Sequence, residues 1–260
     1  MFVDSHCHLD RLDLSVRNNQ LQSVIDAATE KNVSRMLCVA IDMQTLPEML
    51  EKVNRFDNVY ASAGVHPLHV SDGVPDVATL LGYAAEPKVI ALGETGLDYY
   101  YQKDTVAQQR ESFVNHLQAS AQSRLPVIVH TRDARDDTIS MLRQHVDTTV
   151  GGVLHCFTEN WEMARQAMDL NFMISFSGII TFRNAAELRE VVRQVPMENL
   201  LIETDSPYLA PVPYRGKPNE PQYVVEVAQC VADIKGLRIE EVAEITSNNF
   251  DRLFSKAVSG

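Results

Sequence analysis

The sequence predicts an α/β protein, a single-domain (β/α)8 TIM barrel occupying residues 1–260. Three observations lead to it. Eight short apolar, β-branched runs recur along the chain, amphipathic stretches at helical spacing lie between them, and 260 residues is an ordinary length for eight strand–helix units in one barrel. Alternation of this kind gives parallel strands joined by crossover helices, and eight units favour closure over an open sheet.

The first strand is FVDSHCH (2–8). Leu21, Val24, Ile25 and Ala28 follow at helical spacing, one apolar stripe, before the second strand SRMLCVAI (34–41). Pro47 marks a helix start ahead of VYASAGVH (59–66), and Pro75 marks the next ahead of VIALGETG (89–96). Phe113, Leu117, Ser120, Ala121 and Arg124 share a helical face before PVIVHT (126–131), and Asp133 opens the helix before GVLHCF (152–157). FMISFSG (172–178) is the seventh strand, and Leu188, Val191, Val192 and Val195 precede the eighth, NLLIETD (199–205). Two amphipathic segments, 221–236 and 239–254, complete the chain. The stretches DYYYQKD (98–104) and SPYLAPVPYRGKPNEP (206–221) fit neither period, and both follow a strand C-terminus, where a barrel builds its active site.

Lys and Arg number 23 against 35 Asp and Glu, a net charge of −12. That balance argues against broad non-specific adhesion to nucleic acid, but not against a polynucleotide held locally by metal ions. No apolar run approaches the roughly 18 residues of a membrane span. A strand beginning at the first residues leaves no space for a charged leader, so a cytoplasmic protein is expected. The four cysteines, Cys7, Cys38, Cys156 and Cys230, show no CxxC spacing and are expected reduced and buried. Nothing in the chain demands an obligate protein partner.

The histidines carry the functional argument. Of the eight, His6, His8, His66, His130 and His155 fall at the C-terminal ends of predicted strands, as do Glu94 on the fourth and Glu203 and Asp205 on the eighth. A closed barrel gathers those ends on one rim, the C-terminal rim of the strands. Alternation in the first strand is expected to put Asp4, His6 and His8 on one face and Val3, Ser5 and Cys7 on the other, which sets Cys7 apart from any ligand set. The same reasoning sets Cys156 apart, and His69, His116 and His145, in loops or helices, are expected at the surface.

Imidazole mixed with carboxylate suits Zn²⁺, Mn²⁺ or similar cations better than an all-oxygen site would. Four histidines with two or three carboxylates exceed the needs of one four-coordinate ion and match two divalent ions sharing a bridge. Glu94, from a middle strand, can supply that bridge, and such a pair activates water and neutralises phosphoryl or acyl charge. Asp205 is expected to bind metal, take the water's proton, or both. Glu203, two residues earlier, either orients a ligand histidine or simply fills the upper barrel layer. His66, before Pro67, is assigned to substrate or to orienting a ligand rather than to metal.

With its motifs DSHCHLD (4–10), GVHP (64–67), GETGLDYY (93–100), PVIVHTRDA (126–134), GVLHCFT (152–158), ETDSPYLAP (203–211) and RGKPNEP (215–221) in order, the chain resembles the TatD family of metal-dependent deoxyribonucleases in the amidohydrolase superfamily. The resemblance covers essentially the whole chain. It implies that His6 and His8 bind one metal, Glu94 bridges, Asp205 completes that site, and His130 and His155 bind the second. It further implies 3′–5′ exonuclease or endonuclease action on DNA; the ligand set itself accepts Zn²⁺, Mn²⁺, Mg²⁺ or other divalent ions. Related barrels often bridge their metals with a carbamylated lysine on the fourth strand, where this chain has glutamate. Arg132, Arg183, Arg215 and Lys217, with Tyr99, Tyr100, Phe157, Tyr208 and Tyr214, are candidates for gripping a short single-stranded or frayed end. Two other readings compete: the same centre acting on a small amide, lactone, phosphotriester or aminoacyl ester, including aminoacyl-tRNA, and a barrel that binds metal without catalysis.

Overall fold

A computed structural model describes residues 1–258; the last two positions of the predicted domain, 259 and 260, lie outside the described residues. Eight strands, β1 (Phe2–Cys7), β2 (Val33–Cys38), β3 (Val59–Ala63), β4 (Val89–Asp98), β5 (Val127–Arg132), β6 (Gly152–Leu154), β7 (Phe172–Phe176) and β8 (Leu200–Ile202), lie side by side in sequence order, and each neighbouring pair is parallel. Between them run α1 (Leu21–Glu30), α2 (Leu46–Val53), α3 (Val77–Ala84), α4 (Val106–Ser123), α5 (Arg135–His145), α6 (Trp161–Met168) and α7 (Ala186–Gln194). Two further helices, α8 (Val224–Lys235) and α9 (Ile239–Leu253), follow the last strand. The sheet curls into a nearly closed barrel, and no helix among the described residues is long and apolar enough to cross a membrane.

Two apolar layers hold it together. Val3, Leu37, Ile90, Ile128, Val153, Met173 and Leu201, one from each of seven strands, pack against one another inside the barrel. Phe2, Met36, Val59, Val89, Leu154, Ile174 and Ile202 point outward into the layer shared with the helices. Each fully buried Val, Leu, Ile, Phe or Met side chain stabilises the fold by about 1.5–3 kcal/mol relative to exposure. Phe250 and Phe254, at the end of α9, join the inner cluster. The amide of Asn249 donates to the carbonyls of Met197 and Leu200 at 2.7 and 2.9 Å, so α9 stoppers the end where the strands begin. The opposite end is left for chemistry.

The seam between β8 and β1 is closed at that opposite end. The Asp205 amide donates to the His6 carbonyl at 2.9 Å, and the His8 amide to the Ser206 carbonyl at 2.7 Å. First and last strand are thus stitched together by residues of the rim itself.

Several expectations are corrected. Most strands are shorter than their apolar runs, so His8, His66, His155, Glu203 and Asp205 emerge just beyond their strands, where backbone leaves the ladder to form the rim. β4 is longer, reaching Asp98, and Glu94 lies in its middle. Alternation in β1 does not run through: between Asp4 and Cys7 the strand advances three residues while β2 advances two, from Met36 to Cys38. This bulge resets which side chains face in. Ser5 therefore points inward to the Ser175 hydroxyl at 3.2 Å, while the Asp4 carboxylate accepts the Thr204 hydroxyl at 2.6 Å and its amide at 2.8 Å. Burial pushes the Asp4 carboxyl up to about 8.

His116 is not at the surface. It is fully buried on α4, its Nδ1–H donating to the Ser112 carbonyl at 2.7 Å and its Nε2 accepting the Val65 amide at 3.2 Å, and burial lowers its pKa to about 4. Phe157 is also buried, its ring packed on Phe176, so it is a wall of the core rather than a rim contact. His145 is exposed and His69 half-buried. All four cysteines are free; Cys7 and Cys38 are buried, but Cys156 and Cys230 are only partly so.

Candidate metal centre

Glu94 stands at the centre of the rim, nearly buried. Two glycines let it get there. Gly93 and Gly96 sit at φ +129° and +132°, and a Cβ on them would lie 2.6 Å from the Ile128 carbonyl oxygen and 2.1 Å from that of His130. Only glycine accepts both that backbone and that closeness, so β4 lies hard against β5 and carries Glu94 to His130.

The two carboxylate oxygens of Glu94 face different sets of nitrogens. Oε2 is 3.3 Å from His6 Nε2. Oε1 is 2.6 Å from His155 Nε2, 3.2 Å from His130 Nδ1 and 3.2 Å from His66 Nε2. On the first side His6 Nε2 and His8 Nε2 are 3.3 Å apart, and Asp205 Oδ1 lies 3.8 Å from the one and 3.4 Å from the other. Donors set about 2.0–2.1 Å from one ion at tetrahedral angles are about 3.3–3.4 Å apart, so this triplet has the dimensions of a divalent-ion site. Asp205 is presented from the left-handed region at φ 56°, which aspartate tolerates better than most residues.

The second nitrogen of each ring decides what the first offers. His8 Nδ1–H donates to the Val39 carbonyl at 2.9 Å, His130 Nε2–H to Asp98 at 3.1 Å, and His155 Nδ1–H to Glu203 at 3.3 Å. In the neutral rings the remaining nitrogens, His8 Nε2, His130 Nδ1 and His155 Nε2, therefore present lone pairs to the centre. His66 is the reverse. Its Nδ1 accepts the Leu68 amide at 3.1 Å, so the neutral ring carries its proton on Nε2 and aims an N–H at Glu94. It shares space with Glu94 and His130, in a group whose donor atoms lie close enough together to hold an ion.

The residues fit a bound cation on a direct test. His155 Nε2 is buried, has no hydrogen-bond partner among the described residues, and lies 2.6 Å from a carboxylate oxygen. A lone pair and a carboxylate at that distance repel unless a cation or a proton lies with them. Without metal a proton takes that role. Burial opposes the charged imidazolium, yet the charges of Glu94 and Glu203 and the hydrogen bond to Glu203 raise the His155 pKa well above its ordinary value. Burial likewise works against the Glu94 carboxylate, but the charge of His155 and the hydrogen bond from His130 hold it well below the usual range. Asp205 is lowered in spite of burial by its hydrogen bond to His8 and the charges of His6 and His8. Burial sets His66 at about 4, leaving it neutral.

Two residues of this centre, Asp98 and Gln109, carry no assignment in the sequence reading, and a third, His116, is assigned there to the surface. Asp98 fixes the tautomer of His130 and, with its other oxygen, accepts the amides of Tyr100 and Tyr101 at 3.0 and 2.8 Å. The signal for it was present: Asp98 is four residues past Glu94, an even spacing that keeps one strand face. Gln109 of α4 accepts the Asp98 amide at 2.9 Å and donates to the carbonyls of Asp98 and Gln102 at 3.1 and 2.8 Å, pinning the loop after β4. His116 holds the Val65 amide next to His66. Glu203 accepts the Cys156 amide at 2.8 Å in addition to His155, while its other oxygen is buried without a hydrogen-bond partner among the described residues. Of the rim candidates, Tyr99 donates to Asp137 at 2.8 Å, Tyr214 stacks on Tyr223 at 3.9 Å, and Arg215 lies over Phe182 at 3.7 Å, while Arg183 and Lys217 are exposed. Tyr208 is exposed beside His8, ring centres 6.1 Å apart.

Comparison with known proteins gives a consistent picture. The sequence model of the TatD related DNase family matches residues 3–255. The uncharacterized metal-dependent hydrolase YcfH of Escherichia coli (strain K12) is 52% identical over 252 residues, covering 97% of this chain and 95% of that protein. The 3′-5′ ssDNA/RNA exonuclease TatD of Klebsiella pneumoniae (strain 342) is 32% identical over 243 residues, covering 91% and 92%. Among solved structures, that of YJJV, a TatD homolog from Escherichia coli k12, superimposes with a TM-score of 0.90 at 27% identity over 98% of each chain. A phosphotriesterase homology protein from Escherichia coli shares the fold at a TM-score of 0.70 and 15% identity.

Proposed function

This chain belongs to the TatD-related DNase family of metal-dependent hydrolases, and from that premise we propose that it cleaves the phosphodiester bonds of DNA, removing nucleotides from a single-stranded or frayed 3′ end. The observation that carries the reading is the division of Glu94, one oxygen toward His6 and the other toward His155 and His130. In this reading two divalent ions, Zn²⁺, Mn²⁺ or Mg²⁺, would be held by His6, His8, Glu94, His130, His155 and Asp205. The ions supply an acidified water and neutralise phosphoryl charge. The 3′–5′ direction is that named for the Klebsiella exonuclease, which acts on single-stranded DNA and RNA.

The chain's own residues do the rest. Asp205 has a carboxylate kept ionised by His8 and His6 and partly open to solvent, and it takes the proton of the attacking water. His66 turns its Nε2–H toward the centre and donates to a non-bridging phosphoryl oxygen as negative charge gathers there. Glu203 and Asp98 keep His155 and His130 in the tautomers that face inward. Residues 1–260 act as one hydrolase domain.

The test uses metal-stripped protein and single-stranded DNA labelled at the 3′ or the 5′ end. Mg²⁺, Mn²⁺ and Zn²⁺ are restored separately, with Asp205→Asn as control. Metal-restored shortening from the 3′ end, absent in the control, is expected. Absence of cleavage in protein that binds two ions would move the substrate to a small-molecule or aminoacyl ester.

A further inference from the structure

Just past the metal centre, on the loop after β4, two large rings stand in solvent. Tyr100 is 53% and Tyr101 60% exposed, their planes are nearly perpendicular, and the guanidinium carbon of Arg132 lies 4.7 Å from one ring centre and 4.6 Å from the other. Arg132 is itself exposed and makes no ion pair among the described residues. Its neighbours differ: Arg110 is neutralised by Asp137, and Arg135 by Glu159. In a chain of net charge −12, an uncompensated cation laid across two open aromatic faces is a local exception. Its distance from the chemistry is one carboxylate, because Asp98 touches His130 with one oxygen and the Tyr100 and Tyr101 amides with the other.

We propose that Tyr100, Tyr101 and Arg132 form a binding platform for the single-stranded polynucleotide, taking the nucleotides next to the bond being cut. The rings stack bases without reading sequence, since every base has a π-face, and Arg132 meets a backbone phosphate. Cation–π contact with the tyrosines holds the guanidinium in place before substrate arrives. The loop is stiff enough for the task because Gln109 ties it to α4 through Asp98 and Gln102. Tyr99 has no part in it, its hydroxyl being engaged by Asp137 and Arg110. This deepens the phosphodiesterase reading above and rests on it for the reaction, though not for the binding.

The experiment has two arms. In the first, a fluorescent single-stranded phosphorothioate octamer is titrated by anisotropy into Mn²⁺-loaded wild type, the Tyr100→Ala/Tyr101→Ala double variant and Arg132→Ala. The Asp98 tether uses the backbone amides of the tyrosines, so alanine removes the rings and leaves His130 oriented. Loss of stacking is expected to weaken octamer binding about tenfold or more, and Tyr100→Phe with Tyr101→Phe is expected to restore it. Arg132→Ala is expected to flatten the salt dependence of binding by about one phosphate contact. In the second arm, kcat/KM for an octamer is divided by that for a dinucleotide. The double variant is expected to lower that ratio about tenfold through KM.

Equal losses on octamer and dinucleotide would make the loop merely structural and overturn the platform, as would a double variant that binds the octamer like wild type. If wild type cleaves the dinucleotide but binds octamers no better, the platform falls and the hydrolase reading survives. If wild type binds octamers, the variants lose that binding, and no phosphodiester is cut, the platform stands and the hydrolase reading falls.

Discussion

Asp98 Oδ2 lies 3.1 Å from His130 Nε2, and this contact decides that Nδ1 is the nitrogen turned toward Glu94. Replacing Asp98 by Ala frees the ring to tautomerise and rotate. Metal affinity or turnover is expected to fall 10–100-fold, the usual cost of losing a carboxylate behind a ligand histidine. Asp98→Asn, which keeps an acceptor oxygen, is expected to lose less. Metal content by elemental analysis after dialysis, read beside turnover, checks both.

Glu94→Gln leaves the shape of the centre and removes its shared charge. Turnover is expected to drop more than about hundredfold, beyond the effect of an orienting carboxylate, and bound metal with it. The melting temperature is expected to move by only a few degrees (about 1 kcal/mol or less), because Glu94 packs against rim imidazoles and not the apolar layers. Full activity in the metal-loaded variant would exclude the bridge.

His66 separates from the other rim histidines by its tautomer. His66→Ala is expected to cut turnover about hundredfold, as loss of one donor to developing charge does, while metal content stays at the wild-type level. His6→Ala and His130→Ala are expected to lose metal as well as turnover. A His66→Ala protein that also loses metal would put His66 among the ligands.

Metal uptake is expected to release protons at neutral pH. The pKa of His155 lies well above its ordinary value in the metal-free protein, and those of His8 and His130 are also raised, burial being outweighed by their carboxylate partners. A ligand must be neutral, so these protons leave when the ion enters, and affinity falls as pH falls. Calorimetric titration in buffers of different ionisation enthalpy measures the number released; zero release would refute the assignment.

His116 sets a stability trend of its own. Its folded pKa is about 4 against an unfolded value near 6.5, because burial disfavours the charged ring. Between those values the unfolded chain binds the extra proton, so stability falls as pH falls from about 6.5 to 4, by roughly 3 kcal/mol at most. Above pH 6.5 the penalty is absent. His116→Gln, which retains an acceptor for the Val65 amide, is expected to unfold in urea with a shallower pH dependence over that window.

Much of this was legible in the sequence. Strand–helix alternation is a direct printout of a parallel barrel, and the histidines of separate strands converge only because closure brings C-terminal ends together. What escaped depends on distances that pattern does not encode. The β1 bulge turns Asp4 away from His6, though strict alternation pairs them. The length of β4 depends on its fit against β5, so Glu94 at mid-strand and Asp98 at the end were misjudged in their positions. His116 is a different kind of miss: Gln109, Ser112, Phe113, His116, Leu117 and Ser120 form one buried stripe of α4, and polar members hid half of it. Those polar groups are buried because they serve backbone amides and carbonyls of the loops beneath.

The seam that joins Asp205 to His6 has a temporal meaning during synthesis. Nearly four-fifths of the chain must leave the ribosome before Asp205 exists, and the His6 carbonyl waits for its partner until then. A truncated or still-growing polypeptide therefore carries imidazoles but no finished hydrolytic centre. The eighth strand, not the first, thus sets the moment at which the centre closes.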